Sequence, residues 1–165
     1  MPVTLPDAIT SRTEAETIAL GTMLAPLLEP DDVVALSGDL GAGKTCLTKG
    51  VAAGLGVAEH VTSPTFNIML EHHGRLELYH FDLYRLERAD QLEDIDFFAT
   101  LEAGGACIIE WGERFPAAMP EDYLAVEISI AEDDTRHFTL VAYGPRGERL
   151  ANAWLSAVEA GTVEP

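Results

Sequence analysis

The stretch Val33-Val34-Ala35-Leu36-Ser37-Gly38-Asp39-Leu40-Gly41-Ala42-Gly43-Lys44-Thr45 decides the fold. Its first five residues form an apolar run of the kind that becomes a buried strand. Its last eight fit G-x-x-x-x-G-K-[ST], a pattern in which glycines let the backbone curl into a nest of N–H donors at a helix N-terminus. In that pattern Lys44 reaches the β- and γ-phosphates, and Thr45 offers its hydroxyl to Mg²⁺. The plain alternative is a glycine-rich turn followed by lysine. Lys44 is one of only two lysines in the chain, however, and it falls on the required position. With a strand before it and a helix after it, the loop reads as a nucleotide-phosphate site.

Working outward, Ser11-x-x-Glu14 and Thr13-x-x-Glu16 are overlapping capping boxes. They predict a helix through about Leu28, stopped by Pro30, with Ala15, Ile18, Ala19, Leu24, Leu27 and Leu28 as candidate buried positions. The helix after the loop runs from Lys44 to about Leu55, where Gly54 and Gly56 are stop signals. Thr62-Ser63-Pro64-Thr65 is turn-rich, and it precedes two extended segments, Phe66–Glu71 and Leu76–Asp82, joined near Gly74 as a hairpin. Leu92, Ile95, Phe98 and Leu101 recur at three-residue steps, which predicts one amphipathic helix from Asp90 to Leu101, ended by Gly104-Gly105. Cys107-Ile108-Ile109 is a short buried strand. Two alternating segments, Leu124 to Ile130 and Phe138 to Ala142, form a second antiparallel pair that turns at Asp133-Asp134. A helix from about Glu148 to Ala160 closes the chain.

At 165 residues the chain is read as one domain, 1–165, with 148–165 as its C-terminal helix and tail. The expected fold is α/β: a three-layer sandwich of the P-loop NTPase kind, whose mixed sheet combines a parallel nucleotide-binding core with antiparallel hairpins. No window approaches the roughly 18 continuous apolar residues of a membrane span, and the start of the chain has no basic region followed by an apolar run. The expected location is cytoplasmic. Cys46 and Cys107 lack metal-ligand spacing, so reduced thiols are the expectation, and His72-His73 reads as a polar hairpin tip. Ten basic against 28 acidic side chains give a net charge of −18. That balance opposes tight direct binding to nucleic acid and suits a basic protein partner.

A phosphate loop binds; hydrolysis also needs a carboxylate near Mg²⁺ and a group that positions water. Two apolar runs end in acids, Leu78-Tyr79-His80-Phe81-Asp82 and Cys107-Ile108-Ile109-Glu110. Both deliver a carboxylate to the edge where α/β ligands sit, and either could be the metal-side acid. Taken singly, each could be a turn-capping acid. Thr65, a hydroxyl in a Pro-bearing loop, is a candidate sensor of the γ-phosphate. Trp111 reads as a core anchor, with a place beside the nucleotide as the alternative.

At these residues the chain resembles the TsaE family, also known as YjeE, the ATPase of bacterial threonylcarbamoyladenosine tRNA modification. The match covers most of residues 5–143. It includes the leading helix with Gly21, the phosphate loop, Ser63-Pro64-Thr65-Phe66, His80-Phe81-Asp82-Leu83-Tyr84-Arg85-Leu86 and Glu110-Trp111. The phosphate loop is common to many families; the last two motifs at their separation are far more specific. The resemblance implies ATP and Mg²⁺ as cofactors, with Asp39, Leu40, Gly41, Ala42, Gly43, Lys44, Thr45 and Cys46 around the nucleotide. It implies that Thr45 and Glu110 hold the metal, that Asp82 is the Walker-B-type acid, and that Thr65 belongs to a switch-like loop. Glu14 and Arg136 are further nucleotide-side residues that it implies. Cys46 stands where the family usually has threonine, so no hydroxyl is offered there to the α-phosphate. The implied partner is the TsaB–TsaD heterodimer, whose repeated turnover ATP hydrolysis supports; the transfer of the threonylcarbamoyl group is performed by that heterodimer.

Two other functions compete. A small-molecule kinase uses the same loop but generally needs a lid of clustered arginines. The eight arginines here are scattered. A non-hydrolysing nucleotide-dependent interaction module is the other. A GTPase fits less well, because no Asn-Lys-x-Asp motif occurs.

Overall fold

The run that opens the phosphate loop becomes β2 (Val33–Gly38), the middle strand of a seven-stranded sheet. The computed structural model describes residues 1–38, 43–58, 61 and 68–161. Around β2 the chain lays down β1 (Val3–Ser11), α1 (Glu14–Leu24), α2 (Lys44–Gly54), β3 (Met69–His72) and β4 (Leu78–Asp82). The second half gives α3 (Gln91–Asp94), α4 (Phe97–Leu101), β5 (Ala106–Glu110), β6 (Tyr123–Ile130), β7 (Arg136–Tyr143) and α5 (Gly144–Gly161). The strand order is β1-β7-β6-β2-β5-β4-β3.

Four strands, β6, β2, β5 and β4, run parallel, and β3 and the β7–β1 pair add antiparallel edges. This is the expected mixed α/β sheet. Parallel strands are covered on both faces, and every residue of β5 is buried accordingly. On one face Leu36, Ile108, Val126 and Leu140 pack with Leu24, Leu47, Val51 and Trp154 from α1, α2 and α5. On the other, Phe81, Ile109 and Val33 meet Leu92, Phe97 and Leu101 from α3 and α4.

Helices α1 and α2 touch backbone to backbone. A Cβ on Gly50 would fall 2.0 Å from the Ile18 carbonyl oxygen, and one on Gly21 would fall 2.3 Å from that of Leu47. That contact selects the buried face of α1, which is Thr17, Leu20, Gly21 and Leu24. Ala15 and Ala19, expected inside, are exposed. The expected single helix over 90–101 is two short ones. Asp96 sits in the left-handed region at φ 54°, which shifts the helical phase by one residue. Phe97 is therefore fully buried, edge-on to Phe81 at 5.0 Å, and Phe98, expected inside, is 44% exposed. Strand β1 was not expected from the sequence: Pro6 interrupts it, and its register shifts between Leu5 and Ile9, a break that an edge strand tolerates. The last helix starts at Gly144, four residues before Glu148, with Arg146 N donating to Asp122 Oδ1 at 2.8 Å in its first turn.

Candidate nucleotide site

Parallel strands carry their C-terminal ends to one edge, and there the ends of β2, β4 and β5 meet. Glu110 is in register with Leu36 on one side and Asp82 on the other. Because side chains alternate along a strand, Asp82, Glu110 and His80 lie on the α2 side of the sheet, with Leu36 and Ile108. Two residues that frame the loop need glycine: Gly38 has φ 143° and Gly43 has φ 114°. After Gly43 the chain turns directly into α2, whose first N–H groups and dipole point back at the edge.

Lys44 opens that helix and is only 7% exposed. Its Nζ donates to the Gly38 carbonyl at 3.0 Å and lies 4.6 Å from the centroid of the Trp111 ring. Trp111 follows Glu110 with φ 64°, in the left-handed region. Tyr84 packs on it at 4.9 Å, and Arg114 donates to the Tyr84 carbonyl. Trp111 thus keeps its expected packing against the core, beside Phe81 and Ile109, and also touches the loop lysine. The indole is half-buried and rests against the loop lysine.

Glu110 is 4% exposed, and its Oε2 lies 2.5 Å from His80 Nε2. Asp82, half-buried, accepts from Tyr84 N at 3.1 Å. Burial holds the Asp82 carboxyl above the usual carboxylate range, and the charge of Glu110 pushes the same way. The Tyr84 N–H, His80 and Lys44 oppose that rise without cancelling it. Among the described residues, a buried acid and a half-buried one stand side by side with one lysine near them. Thr45 and Cys46 are half-buried on the first turn of α2. A Thr45 hydroxyl and two carboxylates are all hard oxygen donors, a set that suits Mg²⁺.

Glu14 and Arg136 reach the same edge by topology. Glu14 is the first residue of α1, capped by Thr13 Oγ1 accepting from Glu16 N at 3.0 Å. Of the two capping boxes, the chain uses this one; Ser11 Oγ instead pairs with Thr17 Oγ1 at 2.7 Å, and Thr17 packs against Gly43. Arg136 begins β7, in register with Ser11 and Ile130, and its Nη1 donates to the Asp134 carbonyl at 2.7 Å. Asp39, Leu40, Gly41, Ala42 and Thr65 lie outside the described residues, as does the rest of the Thr62-Ser63-Pro64 turn. His72-His73 lies at the other end of β3 and β4, where His73 Nδ1 is 2.5 Å from Glu77 Oε2.

The sequence reading gave no role to His80, which bonds Glu110, and offered Trp111 a place beside the site only as the alternative. A signal for His80 existed: it is two residues before Asp82, and so on the same face of the same strand.

Comparison with known proteins agrees with this geometry. Residues 11–138 match the family model described as threonylcarbamoyl adenosine biosynthesis protein TsaE. The tRNA threonylcarbamoyladenosine biosynthesis protein TsaE of Treponema pallidum is 43% identical over 130 residues, covering 79% of this chain and 96% of that one. The Bacillus subtilis protein of the same name is 43% identical over 136 residues, covering 82% and 85%. The crystal structure of Bacillus YdiB superposes with a TM-score of 0.79 at 36% identity, covering 96% of this chain and 98% of that one. A seven-stranded P-loop fold, the Glu110-Asp82 edge and these matches together assign the chain to the TsaE family.

Proposed function

We propose that the chain is a Mg²⁺-dependent ATPase that serves tRNA threonylcarbamoyladenosine formation by acting on the TsaB–TsaD heterodimer in the cytoplasm. One observation carries the ATPase part: strand register sets Asp82 beside Glu110, and Glu110 beside the end of β2, the strand that leads to Lys44. In this reading Lys44 leaves the Gly38 carbonyl for the β- and γ-phosphate oxygens, keeping its donor satisfied throughout. Thr45 and Glu110 hold Mg²⁺, and Asp82 acts beside them as the Walker-B-type acid. Bound there, Mg²⁺ would supply positive charge against the phosphoryl oxygens. Thr65 responds to the γ-phosphate, and Glu14 and Arg136 contribute from α1 and β7.

A kinase lid finds no support among the described residues. Arg146 and Arg149 are committed to Asp32, and Arg75 donates to the Ala25 and Leu28 carbonyls. With a net charge of −18, the chain is poorly suited to grip tRNA and well suited to a basic protein surface. Hydrolysis by the isolated chain is expected to be slow, because a charge supplied in trans can raise phosphoryl-transfer rates by orders of magnitude. The test is phosphate release with and without TsaB–TsaD at low and high salt, followed by addition of tRNA. Stimulation that weakens with salt and with tRNA is the expected result. No stimulation at any salt rejects the coupling, and stimulation indifferent to tRNA rejects competition for the same surface.

A further inference from the structure

We infer that His80 is a positioning residue that makes Glu110 a one-oxygen ligand and thereby sets the preference of the site for Mg²⁺ over larger divalent cations. The inference rests on the Mg²⁺-ATPase reading and adds to it a residue that this reading leaves without a role.

His80 is fully buried in β4, on the α2 side of the sheet. An imidazole there costs free energy unless both nitrogens are satisfied, yet only Nε2 has a partner; among the described residues Nδ1 has none. A histidine kept merely to fill space would be replaced by an apolar side chain at no loss. The side-chain bond it makes among the described residues, 2.5 Å from Nε2 to Glu110 Oε2, is a charge-assisted contact with an acid that is itself 4% exposed. Among the described residues, the Glu110 carboxylate takes no other hydrogen bond, so there this imidazole is what fixes its rotation.

The consequence follows from coordination chemistry. Mg²⁺ demands near-octahedral geometry and takes single carboxylate oxygens together with waters, whereas Ca²⁺ accepts a carboxylate through both oxygens at longer distances. With Oε2 engaged by His80, Glu110 presents one oxygen. Freed of His80, the same carboxylate can rotate and offer two, which helps Ca²⁺ and does nothing for Mg²⁺.

The variants are His80→Ala, His80→Gln and His80→Asn. A glutamine amide nitrogen reaches about as far as Nε2, while that of asparagine stops near Nδ1. Calorimetry would measure Mg²⁺ and Ca²⁺ binding to each chain saturated with a non-hydrolysable ATP analogue, alongside the urea midpoint of the metal-free protein. Partners that orient a metal ligand typically contribute 10- to 100-fold to metal affinity. His80→Ala is therefore expected to weaken Mg²⁺ about tenfold and to narrow the Mg²⁺/Ca²⁺ ratio, with His80→Gln restoring most of both and His80→Asn restoring neither. Wild-type Mg²⁺ affinity and ratio in His80→Ala overturn the inference. So does equal rescue by His80→Asn and His80→Gln, a comparison that remains decisive if His80→Ala does not fold. A wild-type chain whose nucleotide binding ignores Mg²⁺ overturns the underlying ATPase reading, which separates the two failures.

Discussion

The two ends of β2 each face a buried carboxylate, and the two are treated differently. At the N-terminal end Asp32 is 1% exposed, and its oxygens are fully engaged. Oδ1 accepts from Arg146 at 3.0 Å, and Oδ2 accepts from Arg149 at 2.7 Å and from Glu29 N at 2.8 Å. At the C-terminal end the Glu110 carboxylate has, among the described residues, only His80, beside a second acid whose proton affinity is raised. A buried charge with two guanidinium partners is a closed structural joint, here clamping α5 to the sheet. A buried charge left short of cations costs stability, and such a shortfall persists where a ligand supplies the missing charge.

The largest expected effect lies at the under-neutralised end. Lys44→Ala removes the lysine that opens α2 at this edge, and ATP turnover is expected to fall by about 100-fold or more, the scale seen when a single charge-stabilising donor is lost. Near-normal turnover would detach the loop from the chemistry. Asp82→Asn should lower single-turnover hydrolysis by about 10- to 100-fold while nucleotide affinity changes little, because metal-side charge matters most in the transition state. The same variant should leave the metal-free protein at least as stable as wild type in urea, since it removes a disfavoured charge. A large loss of stability would place Asp82 with Asp32 as a structural acid.

At the closed end the effects should be on stability alone. Asp32→Ala breaks charged hydrogen bonds and frees Arg146 and Arg149, which are about a third exposed and can rehydrate. The expected loss is about 2 kcal/mol, read from urea unfolding, with hydrolysis per folded molecule unchanged. The smallest contrast is between the two thiols. Cys107, whose N–H donates to the Asp32 carbonyl, is buried, and its thiol is pushed up to about 12 by burial, with Asp31 adding to the rise. Cys46 is half-buried beside Thr45. A disulfide reagent under native conditions should therefore titrate one thiol rapidly, and ATP should slow that reaction; two equally fast thiols would contradict the account.

What the sequence disclosed depends on how far apart the interacting residues lie. The phosphate loop and the strand-ending acids were legible because each is a local pattern: glycines at set spacing, or an apolar run stopped by Asp82 or Glu110. The clamp was not, since Asp32 meets Arg146 and Arg149 across 114 and 117 residues. His80 and Glu110 are 30 residues apart, joined only by the parallel register of β4 with β5. Helical periodicity misled over 90–101 because Asp96 takes a left-handed backbone that no hydrophobic pattern announces. Strand β1 escaped notice because Pro6 and Asp7 break its alternation, and only pairing with β7 makes it a strand.

The most direct measurement sets two isosteric amides side by side, Glu110→Gln and Asp32→Asn, each assayed for Mg²⁺-dependent single-turnover ATP hydrolysis and for its urea midpoint. The account predicts a crossed result: Glu110→Gln loses hydrolysis by about 100-fold or more and keeps its midpoint, while Asp32→Asn keeps hydrolysis per folded molecule and loses stability. Hydrolysis at the wild-type rate by Glu110→Gln would contradict it.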